Sequence, residues 1–137
     1  MTVDMLSWTR QQIEARKALA ESASPSPWSA NAEHDEVLAV DGERVADGFA
    51  LSGNQLRNTV DHIVFNNPRQ IIADCEADLA VLELHDDLHD CVTPTSSQVF
   101  PAGDHDEIPC PALQWLAFRY RHRPGYRPEW TPAWTLL

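Results

Sequence analysis

The 137-residue chain has 43% hydrophobic residues and a formal net charge of −11, a length that suits one domain with its own core and a composition that excludes wholesale disorder. No apolar run approaches a membrane span and no segment reads as a secretory signal, so the expectation is a single domain over residues 1–137 in a cytoplasm. Ala30 to Glu107 hold seventeen acids and three bases, a net of −14, whereas residues 108–137 hold four arginines against Glu129; that field disfavours nucleic-acid binding through the acidic body.

In chain order, Thr2 to Glu21 reads as a helix. Leu6, Ile13 and Ala20 recur at seven-residue spacing, and Met5, Trp8 and Leu19 widen the same face. Ser24-Pro25-Ser26-Pro27 ends it, because proline cannot continue a helix and restricts the residue before it. Residues 28–50 read as a small antiparallel β-meander. Val37 to Val40 and Arg44 to Ala50 flank Asp41-Gly42, a dipeptide suited to the positive φ angles of a tight turn, with a preceding strand over Trp28 to Ala32. Helices follow over residues 58–89. Asn58-x-x-Asp61 resembles a helix start, with Val60, Ile63 and Val64 on one face. Asn67-Pro68 then supplies an N-cap and a proline in the first turn. The long helix it opens carries Ile71, Ile72, Cys75, Leu79 and Leu82 as an apolar stripe and is expected to reach His85 or His89.

Residues 90–109 read as a loop, with Pro94, Pro101, Gly103 and Pro109 among small and acidic residues. A loop of this length is usually functional, mobile or tied down. Cys110 to Tyr120 returns to helix, with Leu113, Leu116, Ala117 and Tyr120 inside, and Pro124-Gly125, Pro128 and Pro132 make the remainder an extended aromatic tail. The fold class is α+β: N-terminal helix, antiparallel meander, long central helix, pinned loop, and C-terminal helix with tail.

Three cysteines (Cys75, Cys91, Cys110) cannot all pair within one chain, and without a secretory signal free thiols or metal ligation are expected over disulfides. His85 and His89 stand four residues apart, on the stripe of Cys75, Leu79 and Leu82 if the helix persists. Imidazoles at that spacing can converge on one metal. Cys91 follows His89 closely, and Cys110 reaches the set from across the loop. His85, His89, Cys91 and Cys110 thus form a candidate His2Cys2 site for a structural zinc that would hold both ends of the loop. His105 or Cys75 could replace one member. The other reading has the histidines hydrogen-bonded to acids such as Asp86 or Asp90, and the cysteines as ordinary core. Four protein ligands leave no position for a reacting water, so bound zinc would not make the chain an enzyme.

Catalytic patterns are otherwise missing: there is no nucleophile elbow, no phosphate-cradling glycine loop and no dinucleotide fingerprint. His62 reads as a helix-edge histidine bonded to a carbonyl before it reads as a general base. Tyr126, Trp130 and Trp134, interleaved with arginines, have the composition of an interface hot spot. Tyr126 and Trp130 also suit a strap packed back on the body, which leaves Trp134-Thr135-Leu136-Leu137 for partner contact.

The run Cys110-Pro111-Ala112-Leu113-Gln114-Trp115-Leu116-Ala117, continuing through Tyr120 to Pro124-Gly125-Tyr126 and Glu129-Trp130, resembles the ending of a family of small proteins of actinobacteria and their phages with no assigned activity. Members end in a Cys-Pro-Thr-Leu-Arg-x-Leu-Ala helix, then a Tyr, a Pro-x-Tyr and a Glu-Trp before a final proline. Upstream, His62-Ile63 and then Asn67-Pro68 resemble the family's His-Ile…Asp-Pro segment, so the likeness covers nearly the whole chain. It implies a histidine near the end of the long helix and loop cysteines before the Cys-Pro, which favours metal at His85, Cys91 and Cys110. Many members carry a second loop cysteine, absent around Pro94, and His89 would fill that place. Ala112 and Gln114 replace the usual Thr and Arg, and the first helix lacks the family's acidic run.

Three functional readings follow. The first is a zinc-stabilised accessory module that binds a host or phage protein through its acidic face or aromatic tail. The second is an acidic nucleic-acid mimic that occupies the basic groove of a DNA-binding or defence protein. The third, a metal-dependent hydrolase, needs an open coordination position. Nothing in the sequence gives the oligomeric state.

Overall fold

The computed structural model describes residues 2–85, 90–92, 99–101 and 110–132. Along them run α1 (Thr2–Ser22), β1 (Ser29–Ala30), β2 (Glu36–Leu38), β3 (Arg44–Asp47), α2 (Gly53–Phe65), α3 (Pro68–Leu84), β4 (Asp90–Val92), β5 (Val99–Pro101), α4 (Pro111–Phe118) and a 3-10 turn at Pro128–Trp130. This is an α+β arrangement: four helices with a small three-stranded antiparallel sheet and a separate strand pair. The chain divides into two compact units, Arg16–Cys75 and the discontinuous Met1–Ala15 with Glu76–Leu137.

In the Arg16–Cys75 unit the sheet order is β1-β2-β3. Asn31 closes the first connection, its side-chain oxygen accepting from the backbone N–H groups of Asp35 and Glu36, both at 2.9 Å. The second connection is the expected Asp41-Gly42 turn, with Gly42 at φ 89°, where an L side chain would be strained. Val37 and Ala39 are buried, as is Val60 of α2, which packs on β1 and β2. Gly48 lets the chain leave β3 close to that helix: a Cβ there would lie 2.7 Å from both Leu56 Cδ1 and Val60 Cγ2. His34 Nδ1, 2.7 Å from Asp61, fastens the β1–β2 turn to α2.

Helix α2 starts earlier than the Asn58 expectation. Ser52 is its N-cap and accepts from the Gln55 N–H at 3.2 Å, while Gln55 Oε1 accepts from the Leu51 N–H at 3.3 Å. This reciprocal arrangement satisfies two otherwise orphaned donors and sets the start at Gly53. Helix α3 begins as expected, with Asn67 Oδ1 accepting from the Arg69 N–H, but it ends at Leu84, and His85 stands in the turn that closes it. The span expected to be irregular loop contains the antiparallel pair β4–β5, with Cys91 opposite Phe100 and Val92 opposite Val99. Its β-branched and aromatic residues suit a pleated ribbon.

The discontinuous unit is built on the first turns of α1. Met5, Thr9 and Ile13, four residues apart, form the buried stripe there, whereas Leu6 is only half-buried. Leu19, expected on the inner face, is 73% exposed. Trp8 holds the C-terminal segment. Its indole N–H donates to the Pro124 carbonyl at 3.0 Å, and its ring meets Tyr126 and Trp130 with centroids 5.7 and 5.3 Å away. Tyr126 and Trp130 stand edge to face at 5.6 Å. Arg127 lies over Trp130 and pairs with Asp4 at 3.6 Å. Gly125 has φ 94°, and a Cβ on it would fall 2.6 Å from the Trp8 indole nitrogen.

Helix α4 buries Leu113, Leu116, Ala117 and, just beyond its end, Tyr120. Asp78 of α3 is 4% exposed; Arg119 donates to its Oδ1 and the Tyr120 hydroxyl to its Oδ2 at 3.1 Å. A buried carboxylate is tolerated only when paired and hydrogen-bonded in this way.

Two substitutions test this unit. Gly125→Ala forces a left-handed backbone on an L residue and drives a methyl group into the Trp8 indole, and should cost about 2 kcal/mol or more in chemical denaturation. Thr9→Val should do the opposite. The Thr9 hydroxyl is buried with no hydrogen-bond partner among the described residues, so an isosteric methyl should stabilise by about 1 kcal/mol.

Candidate metal centre

The C-terminal end of α3 and the start of α4 bring two of the four candidate ligands together. Cys110 is the N-cap residue of α4 and is fully buried, with Pro111 following in the first turn, where its missing N–H leaves no donor unsatisfied. His85 is half-buried, its backbone N–H bonded to the Val81 and Leu82 carbonyls. The Cys110 sulfur lies 3.3 Å from His85 Nδ1. The two helices are also fastened where Asp78 meets Arg119 and Tyr120. The pairs 85 with 110 and 78 with 119 and 120 show that this part of α3 runs antiparallel to α4.

A separation of 3.3 Å serves an S–H···N hydrogen bond, and it also suits two ligands of one ion. Zinc binds sulfur at about 2.3 Å and nitrogen at about 2.0–2.1 Å, so at a tetrahedral angle the two donors lie about 3.6 Å apart. A shift of a few tenths of an ångström separates the two arrangements. Strand β4, which has Cys91 at its centre, packs on α4.

His89, Trp134 and the alternative ligand His105 lie outside the described residues, as does the side chain of Cys91. Among the described residues, no group of three or more His, Cys, Asp or Glu side chains converges as a metal site. Cys75 is buried in α3 ten residues before His85. At about 1.5 Å per residue that is about 15 Å along the helix, too far to share an ion. His62 is exposed, its Nδ1 3.5 Å from the Asn66 side-chain amide one turn on. Of the proposed interaction residues, Trp130 is 5% exposed and Tyr126 half-buried, its hydroxyl 3.0 Å from Thr131 Oγ1.

Asp78 was missed as a residue with a role. Its place on the apolar stripe, three residues after Cys75 and four before Leu82, signals burial. Trp115 was quoted only as part of the C-terminal run, and helical spacing from Leu113 and Leu116 places it on the outer side of α4, where it is 37% exposed.

Neither a curated protein nor a solved structure matches the chain. A family described as Family of unknown function (DUF6221) matches residues 2–132, a span that takes in both helices of the His85–Cys110 corner, the Trp8 anchor and the C-terminal strap. The chain belongs to that family of unknown function.

Proposed function

We propose that this chain is a small interaction module, an accessory protein of an actinobacterium or its phage, stabilised by a structural zinc at the His85–Cys110 corner. The 3.3 Å approach of an imidazole nitrogen to a cysteine sulfur carries the reading. Cys91 enters from β4, whose packing on α4 supports its place in the set, and His89 is the fourth ligand. With four protein ligands the ion is structural, which leaves function to the surface. A host or phage protein is the partner, met through the acidic face or the tail. Since Tyr126 and Trp130 are held against Trp8, the part of the tail offered to that partner is Trp134 and its neighbours.

The nucleic-acid mimic has less support. Several carboxylates it would present are already matched within the chain: Asp78 by Arg119, Asp74 by Arg16 at 3.7 Å, Glu36 and Asp47 by Arg44, and Asp61 by His34.

Native mass spectrometry of the purified protein, before and after a chelator and with thermal melts in parallel, tests the zinc. One zinc per chain is expected, lost in His85→Ala and Cys110→Ser and kept in Cys75→Ala. Its removal should cost about 3 kcal/mol, or roughly 10 °C in Tm at this chain length. Metal-free protein whose melting is indifferent to the chelator would overturn the centre and leave Cys110 and His85 as a buried hydrogen-bonded pair.

A further inference from the structure

The outer side of α4 carries an arrangement that the metal centre does not use. Trp115 and Phe118 stand edge to face with centroids 5.6 Å apart. Three residues on, Arg121 places its guanidinium carbon 4.2 Å from the Phe118 ring centroid and donates an Nη1–H to the Phe118 carbonyl at 3.1 Å. The positions 115, 118 and 121 are spaced i, i+3, i+6, so the three groups form a ladder along one side of the helix and the turn after it. Arg119 is anchored by the buried Asp78 while its side chain is 48% exposed. Arg123, also exposed, donates its Nε–H to Gln12 at 3.4 Å.

A solvated arginine normally gives up considerable rotamer freedom when it binds, which offsets much of the contact it makes. All three are held against a neighbour yet remain exposed, so part of that cost has been met on folding. A guanidinium has five N–H donors in a rigid fork, and the contacts above occupy only part of each. The remaining edges suit carboxylates, and a half-exposed tryptophan beside them suits an apolar side chain. Tryptophan and arginine together are the residues most enriched at interface hot spots.

We propose that the Trp115–Phe118–Arg121 ladder, with Arg119 at its edge, is a docking surface for a short acidic segment of a partner protein. Charge complementarity selects that class. Residues 119–127 concentrate four of the ten basic residues of a chain whose net charge is −11. A nucleic acid carries a phosphate charge about every 1.7 Å and extends well past such a patch, so it also meets the repulsion of the acidic remainder. An acidic peptide segment ends where the arginines end. The proposal rests on the interaction-module reading and names a surface and partner chemistry for it, independently of zinc.

The test is fluorescence anisotropy on the full chain at about 0.1 M salt, where screening leaves close pairs intact. The probes are a short fluorescein-labelled peptide alternating glutamate with leucine and an oligothymidylate of equal charge. The peptide should bind, and more tightly than the oligonucleotide. Arg121→Glu should weaken it at least about tenfold, with unchanged circular dichroism. Arg121→Lys, which keeps the charge but loses the planar fork, should weaken it by less, and Arg57→Glu on α2 should have no effect. Absence of peptide binding, equal affinity in Arg121→Glu, or tighter binding of the oligothymidylate overturns the proposal. A partner captured through the acidic face or tail by a chain that ignores the peptide would remove this surface and leave the module reading standing.

Discussion

The Trp8 indole anchors the C-terminal segment of the discontinuous unit. Its N–H satisfies the Pro124 carbonyl, and its ring supports both Tyr126 and Trp130. Around it the chain has adapted to close approach. Gly125 takes a left-handed conformation and has no Cβ to strike the indole, and Arg127 folds over Trp130 to reach Asp4. Aromatic clusters of this kind combine large apolar burial with orientation-dependent contacts. The strap in turn packs on α4, whose first residue follows Cys110.

The elements that could be read directly were those whose local chemistry and burial agree. Asn67-Pro68 caps α3 because an amide oxygen can take the orphan N–H of Arg69, and Leu113, Leu116, Ala117 and Tyr120 are buried because helical spacing puts them on one side. The misreadings came where two signals competed. At α2 the Asn58-x-x-Asp61 pattern drew attention from Ser52-x-x-Gln55, which has the reciprocal capping chemistry. On α1, the seven-residue series Leu6, Ile13, Ala20 holds for Ile13 and Ala20 but leaves Leu6 half-buried, and the buried series Met5, Thr9, Ile13 includes a threonine that hydropathy alone passes over. The β4–β5 pair was hidden by the prolines and acids around two three-residue runs.

At the candidate site, the meeting of His85 and Cys110 could be anticipated from residue type and from the need to hold a long connection. Its detailed form could not. An i, i+4 pair of histidines presumes that the helix continues; α3 ends at Leu84 with His85 in the turn after it, and His89 lies outside the described residues. The reversed pairing of α3 and α4 is a tertiary fact: Asp78's place on the stripe signals burial, but nothing local in the sequence names Arg119 and Tyr120 as its partners.

The charges follow one pattern throughout. Acids outnumber bases roughly two to one in the chain, and several arginines pair with acids of the chain itself: Arg44 with Glu36 and Asp47, Arg16 with Asp74, Arg119 with Asp78, Arg127 with Asp4. The unit formed by Met1–Ala15 and Glu76–Leu137 adds a consequence for synthesis. Its first helix turns are made at once, but the residues that cover Trp8 follow 116 positions later. On a ribosome the Arg16–Cys75 segment has its own sheet and helix partners to fold with as soon as it emerges. Trp8 stays uncovered until Pro124, Tyr126 and Trp130 have been made. Long-range closure of this kind is slow, so the covering of Trp8 is a late step relative to the closing of the Arg16–Cys75 unit on itself.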